Sequence, residues 1–358
     1  VLPAPDTQPE TQEAFTPTVL PMEDFARRVY GGAEYLCWWL REARLPPLLT
    51  TSSPAAGGVL GVGNTTILFG GDRDAGNTQF NGARLTVGYW FAIGKFGFEA
   101  EAIFLPSVHS TFTAASNGST LLAQPFISAA TGLPASTVIA GPSVGGPLSG
   151  TFSAFTATEL YGQQTQFVML LAGAGVDTRL DYLGGLRFLE MQDSLEQTAI
   201  SQSAAVAPTL AAHDVFSAHS TFYGFTYGLR GTLNRGPFSL QVRGLGAMGG
   251  TDQQVSTSGT NLGVSPGLLV QSSNMGNFNR TRFDMVYETG INLGWQATSC
   301  MKVYLGYTFL WWVNPIRAGD QVDSVINFTA AGPVRPLIPF RQDALTVNGL
   351  NVGLAFRW

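Results

Sequence analysis

The chain has 358 residues, of which 45% are hydrophobic and only 12% charged, and 19 basic against 24 acidic side chains give a net charge of −5. So few charges beside 43 Gly, 24 Phe, 10 Tyr and 7 Trp exclude a disordered chain, which is rich in charge and poor in aromatics. The acidic balance argues against a nucleic-acid partner, because no basic stripe exists to displace phosphate counterions, and two cysteines make neither a disulfide scaffold nor a zinc pattern.

In chain order, residues 1–27 are Pro-rich and acidic and read as an extended arm or tether. The chain opens on Val1 rather than Met, so it is expected to begin at a processing site from which an export signal has been removed. Period-two segments then recur at 28–42, 79–92, 95–107, 152–171, 176–198, 216–232, 237–252, 280–296, 301–316 and 343–358, which predicts ten strands. Gaps between them alternate. Short turns carrying Gly, Pro, Asn or other polar turn residues lie near 93–94, 172–175, 234–237 and 297–300, and long loops near 43–78, 108–151, 199–215, 253–279 and 317–342. No apolar segment is long enough for a spanning helix. The longest stretch without Asp, Glu, Lys or Arg, 102–158, has a Ser/Thr/Gly/Pro centre that reads as a loop.

Each strand has one apolar and one polar face. In 95–107, Glu99 and Glu101 oppose Phe98, Ala100 and Phe104, and in 280–296, Arg282, Asp284 and Glu288 oppose Phe283, Tyr287, Ile291 and Trp295. A soluble β-sandwich also alternates. Large aromatics on the apolar face and non-turn glycines (Gly88, Gly228, Gly290, Gly306, Gly353) on the polar one favour a transmembrane antiparallel up-and-down β-barrel of about ten strands. Residues 28–358 would form that barrel, its short turns and both termini periplasmic and its long loops extracellular. The last strand ends with Leu354, Phe356 and Trp358 on one face, similar to the terminal signature read by the bacterial barrel-assembly machinery.

The opening strand Ala33-Glu34-Tyr35-Leu36-Cys37-Trp38-Trp39 is followed by Leu68-Phe69-Gly70-Gly71 and by Gly82-Ala83-Arg84-Leu85-Thr86-Val87-Gly88-Tyr89-Trp90. These elements, and more loosely Tyr182-Leu183-Gly184-Gly185-Leu186-Arg187-Phe188 and Phe222-Tyr223-Gly224, make the chain similar to the BBP7 family of planctomycete outer-membrane β-barrel proteins. The resemblance implies a bacterial outer-membrane location and no established activity.

With the less apolar face inward, the lumen would hold the acids Glu34, Glu99, Glu101, Glu159, Asp177, Asp181, Asp284 and Glu288. The bases would be Arg84, Arg179, Arg187, Arg230, Arg243, Arg282 and Lys302. So near a balance suits a paired network that closes a small barrel, since buried charges need partners. A narrow pore for ions or small solutes, lined by the same residues, is the alternative.

Enzymatic sites are poorly supported. Asp72-Arg73-Asp74 and His213-Asp214 invite comparison with the omptin surface proteases, but adjacent residues on an extended backbone diverge, so a protease is a distant third reading. His219-Ser220 fails as a dyad for the same reason, and the tetrapeptide His-Ser-Thr-Phe at 109–112 and 219–222 is read as chance. Asp72, Asp74 and Asn77 have oxygen ligands suited to Ca²⁺, although a polar loop is the simpler reading. Cys37 and Cys300 are far apart in the strand order and are read as free thiols, the alternative being a disulfide to a partner in the oxidising periplasm.

The sequence therefore predicts a non-enzymatic structural or surface-assembly protein without cofactor or metal. Its partners would be outer-membrane lipids, the barrel-assembly machinery and further copies of itself, joined at the outer wall or through the loops; Leu121, Leu122, Phe126, Ile127, Val138 and Ile139 in the largest loop would pack against something.

Overall fold

The computed structural model describes residues 28–41, 44–71, 78–92, 95–142, 146–173, 177–203, 208–329 and 332–358. The arm at 1–27 and the candidate calcium ligands Asp72, Asp74 and Asn77 lie outside them. In chain order the strands are β1 (Val29–Leu40), β2 (Leu49–Thr51), β3 (Thr66–Phe69), β4 (Thr78–Ala92), β5 (Phe96–Ser116), β6 (Leu122–Ser128), β7 (Pro134–Ala140) and β8 (Leu148–Ala172). They continue with β9 (Thr178–Ser203), β10 (Pro208–Arg235), β11 (Phe238–Asn261), β12 (Gly276–Gln296), β13 (Met301–Trp312), β14 (Val325–Ile326) and β15 (Leu345–Arg357).

Ten strands close into one antiparallel barrel in the order β1-β15-β13-β12-β11-β10-β9-β8-β5-β4. The seam joins the chain's first and last barrel strands. Tyr30 faces Arg357 and Leu40 faces Val347, and the Val29 and Trp358 backbones bond each other in both directions. Each predicted strand corresponds to one of the ten. The difference lies at the loop end, where β5, β8, β9, β10 and β11 run well past their expected limits. The expected loop at 199–215 is mostly strand, because β9 reaches Ser203 and β10 resumes at Pro208. There Ala199, Ser201, Leu210 and Ala212 point inward while Ile200 points outward, so small or polar residues inside and an apolar one outside leave no alternation to read.

Two zones divide the outer wall. Lower down, outward positions are apolar over 180–188 on β9, 223–233 on β10, 238–248 on β11 and 303–311 on β13. These lengths match the roughly 9–11 residues a tilted strand needs to cross a bilayer core. Aromatic pairs mark the loop-side border: Phe104 with Tyr161 (5.1 Å between ring centroids), Phe188 with Tyr223 (5.2 Å) and Tyr287 with Trp311 (5.5 Å). Above that border the long strands turn polar on the outside, with Glu159, Glu190, Gln192, His219 and Gln254, so this part of the wall stands in water.

At the loop end a second sheet, in the order β14-β6-β2-β3 with β7 paired to β6, lies against the barrel mouth. Its apolar side chains and those of the upper lumen form one cluster. Leu49, Leu122 and Ile139 from the cap pack with Phe152, Phe216 and Val255 from the wall, all fully buried or nearly so. The largest loop is thus folded onto the barrel, and its Leu121, Leu122 and Ile139 are buried there, while Ile127 and Val138 remain exposed.

Candidate functional site

Inside the barrel the sequence alternation places charged side chains that cannot reach water without a channel, and they pair across the lumen. In the larger cluster Glu34, Glu101 and Glu288 meet Arg84, Arg187 and Arg243. Glu34 and Arg84 are cross-strand neighbours on β1 and β4, with Nη1 3.5 Å from Oε2. Arg84 also lies 3.3 Å from Glu101 and donates through Nη2 to Glu288 Oε1 at 3.0 Å. From the opposite wall Arg187 Nη2 donates to Glu288 Oε2 at 2.7 Å, and Arg243 donates to Glu101 Oε2 at 2.7 Å and to Glu288 Oε1.

A smaller cluster lies toward the turn end. Arg230 Nη1 donates to Glu99 Oε2 at 2.7 Å and its Nε to Asp181 Oδ2 at 3.5 Å, while Arg179 donates to Asp181 Oδ1 at 2.7 Å and lies over the Trp90 ring. Arg230 and Arg243 are register neighbours on β10 and β11, a like-charge pair that would repel if the acids from β5 and β12 did not reach across to them. Each cluster matches its acids to its bases, the condition under which buried charge is tolerated.

Two tyrosines lock the acids. Tyr304 donates to Glu34 Oε1 at 3.0 Å and Tyr30 to Glu99 Oε2 at 2.8 Å, while Gln166 donates to Glu99 Oε1 at 2.7 Å. Each tyrosine ring lies over a glycine of the next strand. A Cβ on Gly353 would stand 2.4 Å from Tyr304 Cζ, and one on Gly88 2.1 Å from Tyr30 Cζ, so the inward glycines make room for the rings.

Toward the loop end the lumen becomes apolar. A buried layer containing Trp38, Phe80, Leu105, Leu189, Phe222 and Trp312 draws side chains from all ten barrel strands. Its indoles are satisfied, Trp38 Nε1 donating to Asn351 Oδ1 and Trp312 Nε1 to Asp284 Oδ2, both at 2.7 Å. An ionic layer and an apolar layer therefore cross the lumen in series. Beyond them, inward aspartates bind the loops. Asp193 takes Arg317 Nη2 (3.0 Å) and the Ala318 N–H (2.8 Å), and Asp284 takes Thr251 and the Asn314 N–H. Asp214 accepts the backbone N–H groups of Leu268, Leu269 and Val270 and the Gln197 amide. Burial nevertheless raises the Asp214 carboxyl above the usual carboxylate range, and burial together with Asp343 pushes Asp320 up to about 6.

Of the predicted lumen residues, Glu34, Arg84, Glu99, Glu101, Asp181, Arg187, Arg230, Arg243 and Glu288 meet in these clusters, with Arg179 at their edge. Five others do not. Glu159 is on the outer wall, since Thr158, Leu160 and Gln164 of β8 are the buried positions, and it sits above the apolar band where an outward acid meets water. Arg282 is exposed where β12 continues past the end of β13, and Asp177 is exposed at the turn end. Lys302 is half-buried at the turn end and joins no ion pair within 4.0 Å among the described residues. Asp284 points inward but serves the loops instead of an arginine. Leu354, Phe356 and Trp358 line the outer face of the seam.

His213 and Asp214, expected in a loop, are on β10 and point to opposite faces. Alternation places Tyr304 on the polar face with Lys302 and Thr308 without giving it a partner, and the residues the sequence did not point to include Asp193, Tyr30 and Arg317. Asp193 shares the parity of Asp181 and Arg187 on β9 and could have been found from it, whereas nothing in the sequence links Arg317 to the lumen.

The family model described as Putative beta barrel porin-7 (BBP7) matches residues 30–358. Similar solved structures include the translocator domain of the autotransporter NalP from Neisseria meningitidis, at 10% identity and a TM-score of 0.34 over 92% of this chain and 88% of that one. A Pseudomonas aeruginosa FadL homologue is 8% identical, with a TM-score of 0.24 over 93% and 90%. The anion-selective porin from Comamonas acidovorans is 10% identical, with a TM-score of 0.17 over 92% and 98%. Likenesses this distant carry no argument about activity, and a comparison with curated proteins gives no match. A ten-stranded closed barrel with a bilayer-width apolar band, matched over nearly its whole length by one family model, belongs to the BBP7 family of outer-membrane β-barrel proteins.

Proposed function

We propose that this protein is a sealed outer-membrane anchor of structural type, a barrel that holds a folded cap at the cell surface. The observation that carries this reading is the double closure of the lumen, by paired charges and then by an apolar layer from all ten strands. An ion crossing it would have to break neutral clusters and then enter a hydrocarbon-like layer. Tight turns at one end and the cap at the other support periplasmic termini and an extracellular cap. On this reading the chain is exported with a cleaved signal and inserted by the barrel-assembly machinery through Leu354, Phe356 and Trp358. It has no enzymatic activity or cofactor, and it works beside outer-membrane lipids and further copies of itself.

Single-channel recording in a planar bilayer tests the reading. Correctly folded, heat-modifiable protein is expected to give no steps. A second reading, a narrow pore, draws on the family's description as a porin. Discrete steps whose ion selectivity changes on neutralising Arg243 or Glu288 would establish it and overturn the sealed barrel.

A further inference from the structure

The outer wall above the apolar band carries a groove of about 360 Å³, within the size range of small-ligand sites. Its lining includes two adjacent rows across the strands, Ser194, Ser217 and Ser256 in one and Glu159, Gln192, His219 and Gln254 in the next. These residues point outward from neighbouring strands, and the sealed-lumen reading gives them no task.

Three of these polar side chains are held by Tyr161 and Glu190, which face each other one step nearer the band. Tyr161 donates to Glu159 Oε2 at 3.2 Å, Gln192 Nε2 donates to Glu190 Oε1 at 3.1 Å, and His219 Nε2 lies 3.0 Å from the same Glu190 oxygen. Above the band β5, β8, β9, β10 and β11 carry no Lys or Arg. On neighbouring β12, Arg280 is bonded to Gln253 and Phe340, while Arg282 shares the inward parity of Asp284. No Lys or Arg therefore lines the groove to offer a phosphate or carboxylate ligand a countercharge. Carboxylates, amides, an imidazole and hydroxyls together supply acceptors and donors suited to a neutral, hydroxyl-rich ligand. Height narrows the choice. Glu159 stands two residues beyond Tyr161, and Gln192 four beyond Phe188, which at about 3.3 Å per residue along a tilted strand is roughly 5–10 Å above the aromatic border. A glycolipid embedded beside the barrel would present its sugar at that level.

We propose that this groove binds the neutral sugar headgroup of a membrane glycolipid. The test uses the full-length protein in detergent, with native mass spectrometry of its complexes with monogalactosyl diacylglycerol, phosphatidylglycerol and phosphatidylcholine. The glycolipid is expected to be retained at least about tenfold better than either phospholipid. Ser194→Trp, which fills the groove, is expected to abolish that preference, and Gln192→Ala or Gln254→Ala to reduce it severalfold, with heat-modifiability unchanged. Saturation-transfer NMR with methyl galactoside separates the lipid-anchored ligand from a soluble one. Binding of the free glycoside that Ser194→Trp removes, without any glycolipid preference, supports a sugar site and overturns the membrane source. Equal retention of all three lipids, a preference untouched by the three variants, or no binding of either probe overturns the proposal. None of these results bears on conductance, so the sealed-lumen reading stands or falls separately.

Discussion

Glu288 is the acid on which the larger lumen cluster converges, and its removal can be worked through. It accepts from Arg84, Arg187 and Arg243 at once. Arg84 keeps Glu34 and Glu101 without it, and Arg243 keeps Glu101, but Arg187 has Glu288 as its one ion-pair partner among the described residues. Glu288→Gln therefore leaves an unpaired guanidinium in a closed lumen, a change that costs about 3–5 kcal/mol. Arg187→Met alone leaves Glu288 with two arginines and should cost less. In the double variant two acids again face two bases, so its destabilisation should fall below the sum of the singles by about 2 kcal/mol or more. Equilibrium unfolding in guanidinium from lipid vesicles, followed by tryptophan fluorescence, gives the four free energies. Additivity within about 0.5 kcal/mol would refute the idea that these charges are held by mutual neutrality.

Three further outcomes follow from the same geometry. Gly353→Ala should displace the Tyr304 ring and break its bond to Glu34, lowering stability by about 1–3 kcal/mol in the same unfolding assay. Asp214→Ala should leave three buried N–H groups without an acceptor, and faster hydrogen exchange confined to residues 267–271 would show it, while unchanged exchange would sink the assigned role. Asp320 is the pH-sensitive point of the cap. Its carboxyl titrates near 6 when folded and near 3.8 when unfolded, so the folded state holds the extra proton and stability falls as pH rises between those values. That difference is worth up to about 3 kcal/mol. Protease resistance of the cap should drop from pH 4 to pH 7 and the drop should shrink in Asp320→Asn, the raised carboxyl of Asp214 contributing the remainder in the same direction.

The transmembrane half of this protein was legible because each strand there separates lipid from a polar interior, so its two faces differ strongly in chemistry. That contrast gave ten strands and, from parity alone, nearly all the paired lumen charges. It failed where the environment changed along a strand. Glu159 follows the polar pattern but has left the membrane, so outward is as good a place for it as inward. The extended tops of β9 and β10, where Ala, Ser and Thr are mixed with Gln, His and single apolar residues such as Ile200 and Leu210 on both faces, look like loop until a partner strand is present. Pairing was harder still. Arg317 reaches Asp193 from a connection that has no period at all, and the direction of a loop's fall into the mouth is set by apolar side chains such as Ile316 and Val322 meeting a core the sequence does not display.

The seam between β1 and β15 has a consequence for how such a molecule can be made. β15 contributes Leu345 and Val347 to the apolar layer and Asn351 to the indole of Trp38, and the segment just before it carries Arg317 and Asp320 into the mouth. The strand that closes the ring against β1 is thus also part of the stopper. Joining the two edges therefore also brings these lumen groups together, Trp38 of β1 against Asn351 of β15. Closing the wall and completing its interior are thus coupled at this seam, and variants that misplace one lumen charge should loosen the β1–β15 edge first.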